Sequence, residues 1–187
     1  MNWLVFALAA YVMVALETGL RALLGVSGPD GAYPSFMLIL AVYVALLAPA
    51  QVVPWALLVL GVLVDLQMGP VPEAAILGPA ALGYLFGAYV MLQLRVLVFR
   101  ESVITLAALV FATGIFVQLV IVGLYTMRGL PWLTAQPIEG WGAADQLVRR
   151  FFILLYTTVV ALPVGALLLR TTPIWGFPNR GRDHRAS

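Results

Sequence analysis

The stretch PSFMLILAVYVALLAPAQVVPWALLVLGVLVDLQM, residues 34–68, carries one charged side chain, Asp65, and is broken internally only by Pro49 and Pro54. It is too long for one helix of ordinary span length. Proline is tolerated at the first helical position but costs a backbone hydrogen bond further in. The run therefore reads as a tight hairpin of two apolar helices, Pro34–Ala48 and Val53–Met68, each about 23–24 Å long. These arms are shorter than a bilayer core of roughly 30 Å, so the hairpin is expected to be tilted or incompletely spanning.

The same character extends in both directions. Trp3–Leu24 offers about 33 Å of apolar helix and lacks the basic start and short core of a cleaved signal, so it is read as segment one. Gly25–Gly31 is a turn-rich break, and Gly69-Pro70-Val71-Pro72 closes the hairpin. Three further segments follow: Glu73–Leu94, with Glu73 at the helix N-terminus, then Val103–Met127 and Leu147–Leu169. Pro79 and Pro163 are expected to kink the fourth and sixth. The predicted fold is all-α, a polytopic integral membrane protein of about six transmembrane helices. Residues 1–170 form its single domain, and 171–187 form a polar, disordered tail.

Composition agrees. Of 187 residues 63% are hydrophobic and 10% charged, against roughly 25% charged in a soluble domain. A soluble fold of this size buries only about 70% of the surface its chain exposes, too little to hide such a sequence. The absence of cysteine excludes disulfides, thiolate metal sites and a cysteine nucleophile. All ten basic residues are arginine, which removes lysine-dependent phosphate and Schiff-base chemistry, and a net charge of +2 gives no footing for nucleic acid.

With six spans, both termini share a side with the 49–52 turn and the 95–102 loop. That side holds Arg95, Arg100, Arg170, Arg180, Arg182 and Arg185; the other holds Arg21, Arg128, Arg149 and Arg150. The excess places both termini in the cytoplasm. Tryptophans are expected in two interfacial belts, Trp3, Trp55 and Trp175 inside, Trp132 and Trp141 outside.

An ionisable group in a span costs roughly 2.5–3.5 kcal/mol at the bilayer centre and calls for a partner. Glu17 and Arg21 are four apart, in the favourable order for an ion pair on one helix face. The competing reading is a contact to another subunit or a substrate. Asp65 lies near the outer end of segment three, at the depth of Arg149 and Arg150. It is expected either to pair with one of these arginines or to cap the N-terminus of segment four. Gln118, one turn after Thr113 and Gly114, reads as interhelical glue rather than a transport site. Gly83 and Gly87 form a GxxxG stripe that serves packing within the chain or dimerisation. No carboxylate pair, nucleophile–base pair or metal-ligand cluster assembles from these positions, so neither catalysis nor a cofactor is expected.

Tyr33-Pro34, Val42–Leu46, the Gly61-Val-Leu-Val-Asp65 run into Gly69-Pro70, and Gly83-Tyr84-Leu85 together resemble the MreD family of bacterial rod-shape-determining membrane proteins. The resemblance covers about a third of the chain. The chain departs from the family's pattern at Gln67-Met68-Gly69-Pro70, where a small polar residue and glycine are usual, at Glu73, and in the long 128–146 loop. The resemblance implies a noncatalytic scaffold of the cell-elongation machinery in the bacterial inner membrane, supporting cell shape and peptidoglycan synthesis. Its partners would be an MreC-like single-span protein and, through it, MreB, RodA and a class B penicillin-binding protein, all within membrane lipid. Asp65 and Gly69 carry over as motif positions that shape the corner between segments three and four. The family is also similar in size and span count to the vitamin-binding S components of energy-coupling-factor transporters. This supplies the alternative, a substrate-binding transporter subunit, which would need an outer pocket with convergent polar lining. The outward candidates for that lining are Asp65, Gln67, Tyr125, Arg149, Arg150 and the loop tryptophans, a sparse set that favours the scaffold.

Overall fold

The computed structural model describes residues 1–20, 33–67, 78–96, 102–128 and 142–177. Within them all regular structure is helical: α1 Trp3–Gly19, α2 Phe36–Leu47, α3 Val53–Gln67, α4 Pro79–Leu94, α5 Val103–Arg128 and α6 Ala143–Arg170, followed by a 3-10 turn Thr172–Trp175. Two helices, α5 and α6, are long and apolar enough to cross a bilayer, with mean hydropathies of 2.4 and 2.3; α1 to α4 are apolar and shorter.

The predicted hairpin is α2 and α3, and its first arm is the centre of the bundle. A helix apolar all round has no solvent or headgroup face and packs best where neighbours surround it. Phe36 through Leu46 are all buried, and α2 touches each of the other five helices. Its start is fixed by Ser35, whose Oγ accepts from the Leu38 N–H (3.4 Å) while its own N–H donates to Thr157 Oγ1 on α6 (3.0 Å). Its end is fixed by Arg95. This side chain, expected in a loop, is 7% exposed, and its Nη1 donates to the carbonyls of Ala48 (2.9 Å) and Ala45 (3.4 Å). A cation is favourable there, where the last carbonyls of a helix lack partners. Arg95→Met is expected to lower stability by about 1–3 kcal/mol, since it orphans buried carbonyls; thermal unfolding of the detergent-solubilised chain measures the loss.

Around α2 the helices follow in order, α3 against α4, α4 against α5, and α5 against α6. The outer surface is apolar: Leu4, Leu8 and Tyr11 on α1, Trp55 on α3, Tyr89 on α4 and Val159 on α6 are all exposed. Soluble monomers rarely show contiguous apolar surface on this scale.

Several expectations are corrected. The helix expected from Glu73 begins at Pro79; Glu73 itself lies outside the described residues. Pro79 is therefore not a kink but the first helical residue, where its missing N–H costs nothing. By contrast, Pro163 lies inside the sixth helix as expected, and α6 runs on to Arg170. The tail expected to be disordered from 171 is built into the fold as far as Phe177. Trp175, expected at an interface, is 2% exposed. It stacks on Phe177 (5.6 Å), meets Tyr43 edge-on (5.1 Å) and donates its indole N–H to Thr171 Oγ1 (3.1 Å). The Asn2 N–H donates to the Trp175 carbonyl (2.9 Å), so the start of α1 and residue 175 lie at one end of the bundle. The loop tryptophans, Trp132 and Trp141, lie outside the described residues.

Candidate functional site

The opposite end of the bundle gathers the polar residues. Asp65 takes the second of its two expected roles. Its Oδ2 accepts from the N–H groups of Gly78 (2.9 Å) and Ala81 (3.0 Å), and its Oδ1 from Ala80 (2.9 Å). Pro79 has no N–H to offer, so one carboxylate takes the N–H groups of Gly78, Ala80 and Ala81 in the first turn of α4. Gly78, at φ +144°, occupies a backbone region that side chains disfavour, and this turns the chain toward the carboxylate. One turn before Asp65, Gly61 lets α3 lie directly on the backbone of α4 at Ala80 and Ala81.

Glu17 is 6% exposed, and its Oε2 accepts from the Met37 N–H at the start of α2 (3.1 Å). It therefore bridges α1 to α2. Its expected helix-face partner Arg21, like Gly69, lies outside the described residues. Gln118 is the interhelical glue expected of it, accepting at Oε1 from Arg150 Nη1 and so joining α5 to α6. Gly83 and Gly87 face α5: a Cβ on Gly83 would lie 2.9 Å from Ile121 Cγ1, and one on Gly87 2.7 Å from Val117 Cγ2. Of the two readings of the GxxxG stripe, the structure shows packing within the chain.

Between these elements lies a cavity of about 140 Å³. Its polar lining comes from Glu17 of α1, Tyr33 and Ser35 ahead of α2, Gln67 of α3, Tyr84 of α4, Gln118 of α5, and Gln146, Arg149 and Arg150 of α6. Apolar Val64, Ile121 and Ile153 complete it. The expectation of sparse polar lining is thus wrong, because each helix contributes only one to three polar groups but all of them converge. Both amide atoms of Gln67 are buried and have no hydrogen-bond partner among the described residues; the same holds for Nε of Arg150. Buried amides are nearly always satisfied, by protein groups or by ordered water. The cavity thus combines one carboxylate, two guanidiniums and three amides in an apolar bundle, a donor-rich set suited to a small ligand bearing anionic or hydrogen-bond-accepting groups. Among the described residues no group of three acidic or histidine side chains stands close enough to hold a metal ion.

Sequence reading missed Tyr33, Ser35, Tyr84 and Gln146 as lining residues and Arg95 as a helix cap. Ser35 did carry a signal, a serine directly before an apolar run.

No family model and no curated protein matches the chain. Among solved structures it is similar to ThiT from Listeria monocytogenes, with a TM-score of 0.53 and 22% sequence identity over 94% of this chain and 98% of that one. At this identity the likeness is one of fold.

Proposed function

We propose that this chain is a noncatalytic membrane subunit of six spans, both termini cytoplasmic, that binds a small ligand in a pocket open toward the outer leaflet. The observation that carries this reading is the polar cavity, with the Gln67 amide, unpartnered among the described residues, in its wall. The likeness to ThiT, an S component, supports the same choice over the scaffold. The lipid setting follows from two helices long enough to cross and a bundle surface that is apolar on every side. The four shorter helices, about 18–26 Å each, cross by using the flanking residues and by local thinning of the bilayer.

The test is extraction in mild detergent, followed by mass spectrometry of small molecules released on denaturation. A stoichiometric polar compound is expected from the wild-type chain. Gln67→Leu, which removes two hydrogen-bonding atoms, is expected to weaken its retention by about tenfold or more. An empty eluate across several growth conditions counts against the reading.

A specific observation keeps the MreD-like scaffold as the second reading. The motif residues Gly61 and Asp65 jointly build the corner between α3 and α4, the role that the resemblance implies for Asp65. In that case the partner is an MreC-like single-span protein leading to MreB, RodA and a class B penicillin-binding protein. It cannot dock on the Gly83/Gly87 stripe, which α5 covers, and must use another face, such as Leu4, Leu8 and Tyr11 of α1. Recovery of a coiled-coil single-span protein in a pull-down, with no bound small molecule, decides for the scaffold.

A further inference from the structure

A second cavity, about 400 Å³, lies on the outer surface between α5 and α6. Its wall is apolar, formed mainly by Ile115, Leu119, Leu147, Val148 and Phe152. Two polar residues complete it, Gln118 and Arg150, and both also line the polar cavity inside. Arg150 and Gln118, joined by a hydrogen bond, therefore stand where the polar chamber and the lipid-facing groove meet.

Resting on the ligand-binding reading above, we propose that the ligand is an anionic amphiphile drawn from the bilayer, its head at Arg150 in the polar cavity and its alkyl tail in the groove between α5 and α6. Charge decides the head. The one hydrogen bond of Arg150 among the described residues goes to a neutral amide, and its Nε has none. A guanidinium beside hydrocarbon is costly unless an anion lies against it. Shape decides the tail. A space of about 400 Å³ is the size of an alkyl chain and smaller than a transmembrane helix, which is about 10–12 Å across. The source is also set by position, because the groove faces lipid and Val148 and Phe152 on its wall are exposed.

The experiment is native mass spectrometry of the full chain from nanodiscs containing phosphatidylcholine and phosphatidylglycerol, together with inorganic phosphate binding by calorimetry. The wild-type chain is expected to retain phosphatidylglycerol over phosphatidylcholine by about tenfold, the scale of one charge-assisted contact. Arg150→Gln is expected to erase this preference and Arg150→Lys to restore much of it. Val148→Trp, a change at an exposed position, fills the groove without touching the polar cavity. It is expected to cut phosphatidylglycerol retention by about tenfold while leaving phosphate binding unchanged. Equal retention of both lipids by the wild-type chain overturns the inference. So does undiminished phosphatidylglycerol binding by Val148→Trp, or recovery of a second polypeptide in the groove instead of lipid. If phosphate or another polar compound still binds in those cases, the pocket reading stands without the amphiphile; if nothing binds at all, both fall.

Discussion

Asp65→Ala is expected to destabilise the folded chain by about 2–4 kcal/mol, the scale of losing several hydrogen bonds to a half-buried charge. Three N–H groups of the α4 start converge on this carboxylate within 3.0 Å. Without it the N–H groups of Ala80 and Ala81, both buried residues, lose their acceptor. The positive end of the α4 dipole also loses its counter-charge. Asp65→Asn keeps one acceptor oxygen but turns an NH₂ toward the remaining donors, so about half of the loss is expected, and Asp65→Glu has the charge at the wrong reach. Thermal unfolding of the purified chain in one detergent, with all three variants side by side, measures the order Ala, then Asn, then wild type. An alanine variant as stable as wild type means that something other than this carboxylate holds the α3–α4 corner. A stability loss here says nothing about ligand binding, which is why Asp65 is a poor probe of the pocket and Gln67 a good one.

How much of this was legible beforehand depends on whether the deciding contact is local. Helix positions were, the start of α4 apart, because the length of an apolar stretch is a property of one segment. The predicted hairpin arms, Pro34–Ala48 and Val53–Met68, differ from α2 and α3 by at most two residues at each end, and Val103 begins α5 as expected. Asp65 was legible to within two alternatives, since a carboxylate near the end of an apolar span has few uses. Contacts between segments distant in sequence were not. Glu17 was assigned to Arg21 by helix spacing, whereas among the described residues its carboxylate reaches the backbone of α2 twenty residues on. Trp175 was expected at an interface and Arg95 in a loop, yet each is buried against α2. The face of the GxxxG stripe could not be read, because α4 is apolar on all sides and gives no direction to its neighbours. The polar cavity escaped for the same reason. Spread over six segments, its residues look like isolated glue, and only the fold brings Gln67, Gln118 and Arg150 together.

Gly61→Ala, a single added methyl, is expected to cost about 2–4 kcal/mol, more than the usual 1–3 for overpacking. The new Cβ would stand 2.6 Å from the Cα of Ala81, 2.9 Å from the Ala80 carbonyl oxygen and 3.0 Å from the Ala81 nitrogen. All three are backbone atoms, so no side chain can rotate aside, and α3 and α4 must separate. Asp65 lies one helical turn further along the same face of α3, and its acceptors are aimed at Ala80 and Ala81 themselves. Separation therefore stretches the cap as well, and the two losses share one cause. A double-mutant cycle with Asp65→Ala should then be non-additive by at least about 1 kcal/mol, the pair costing less than the sum of the two single changes. Gly123→Ala is the control: no atom lies within 4 Å of its added methyl, and alanine is the better helix former, so stability should hold or rise slightly. If Gly61→Ala unfolds at the temperature of Gly123→Ala, the close approach of α3 to α4 is not what positions the carboxylate, and the corner has another origin.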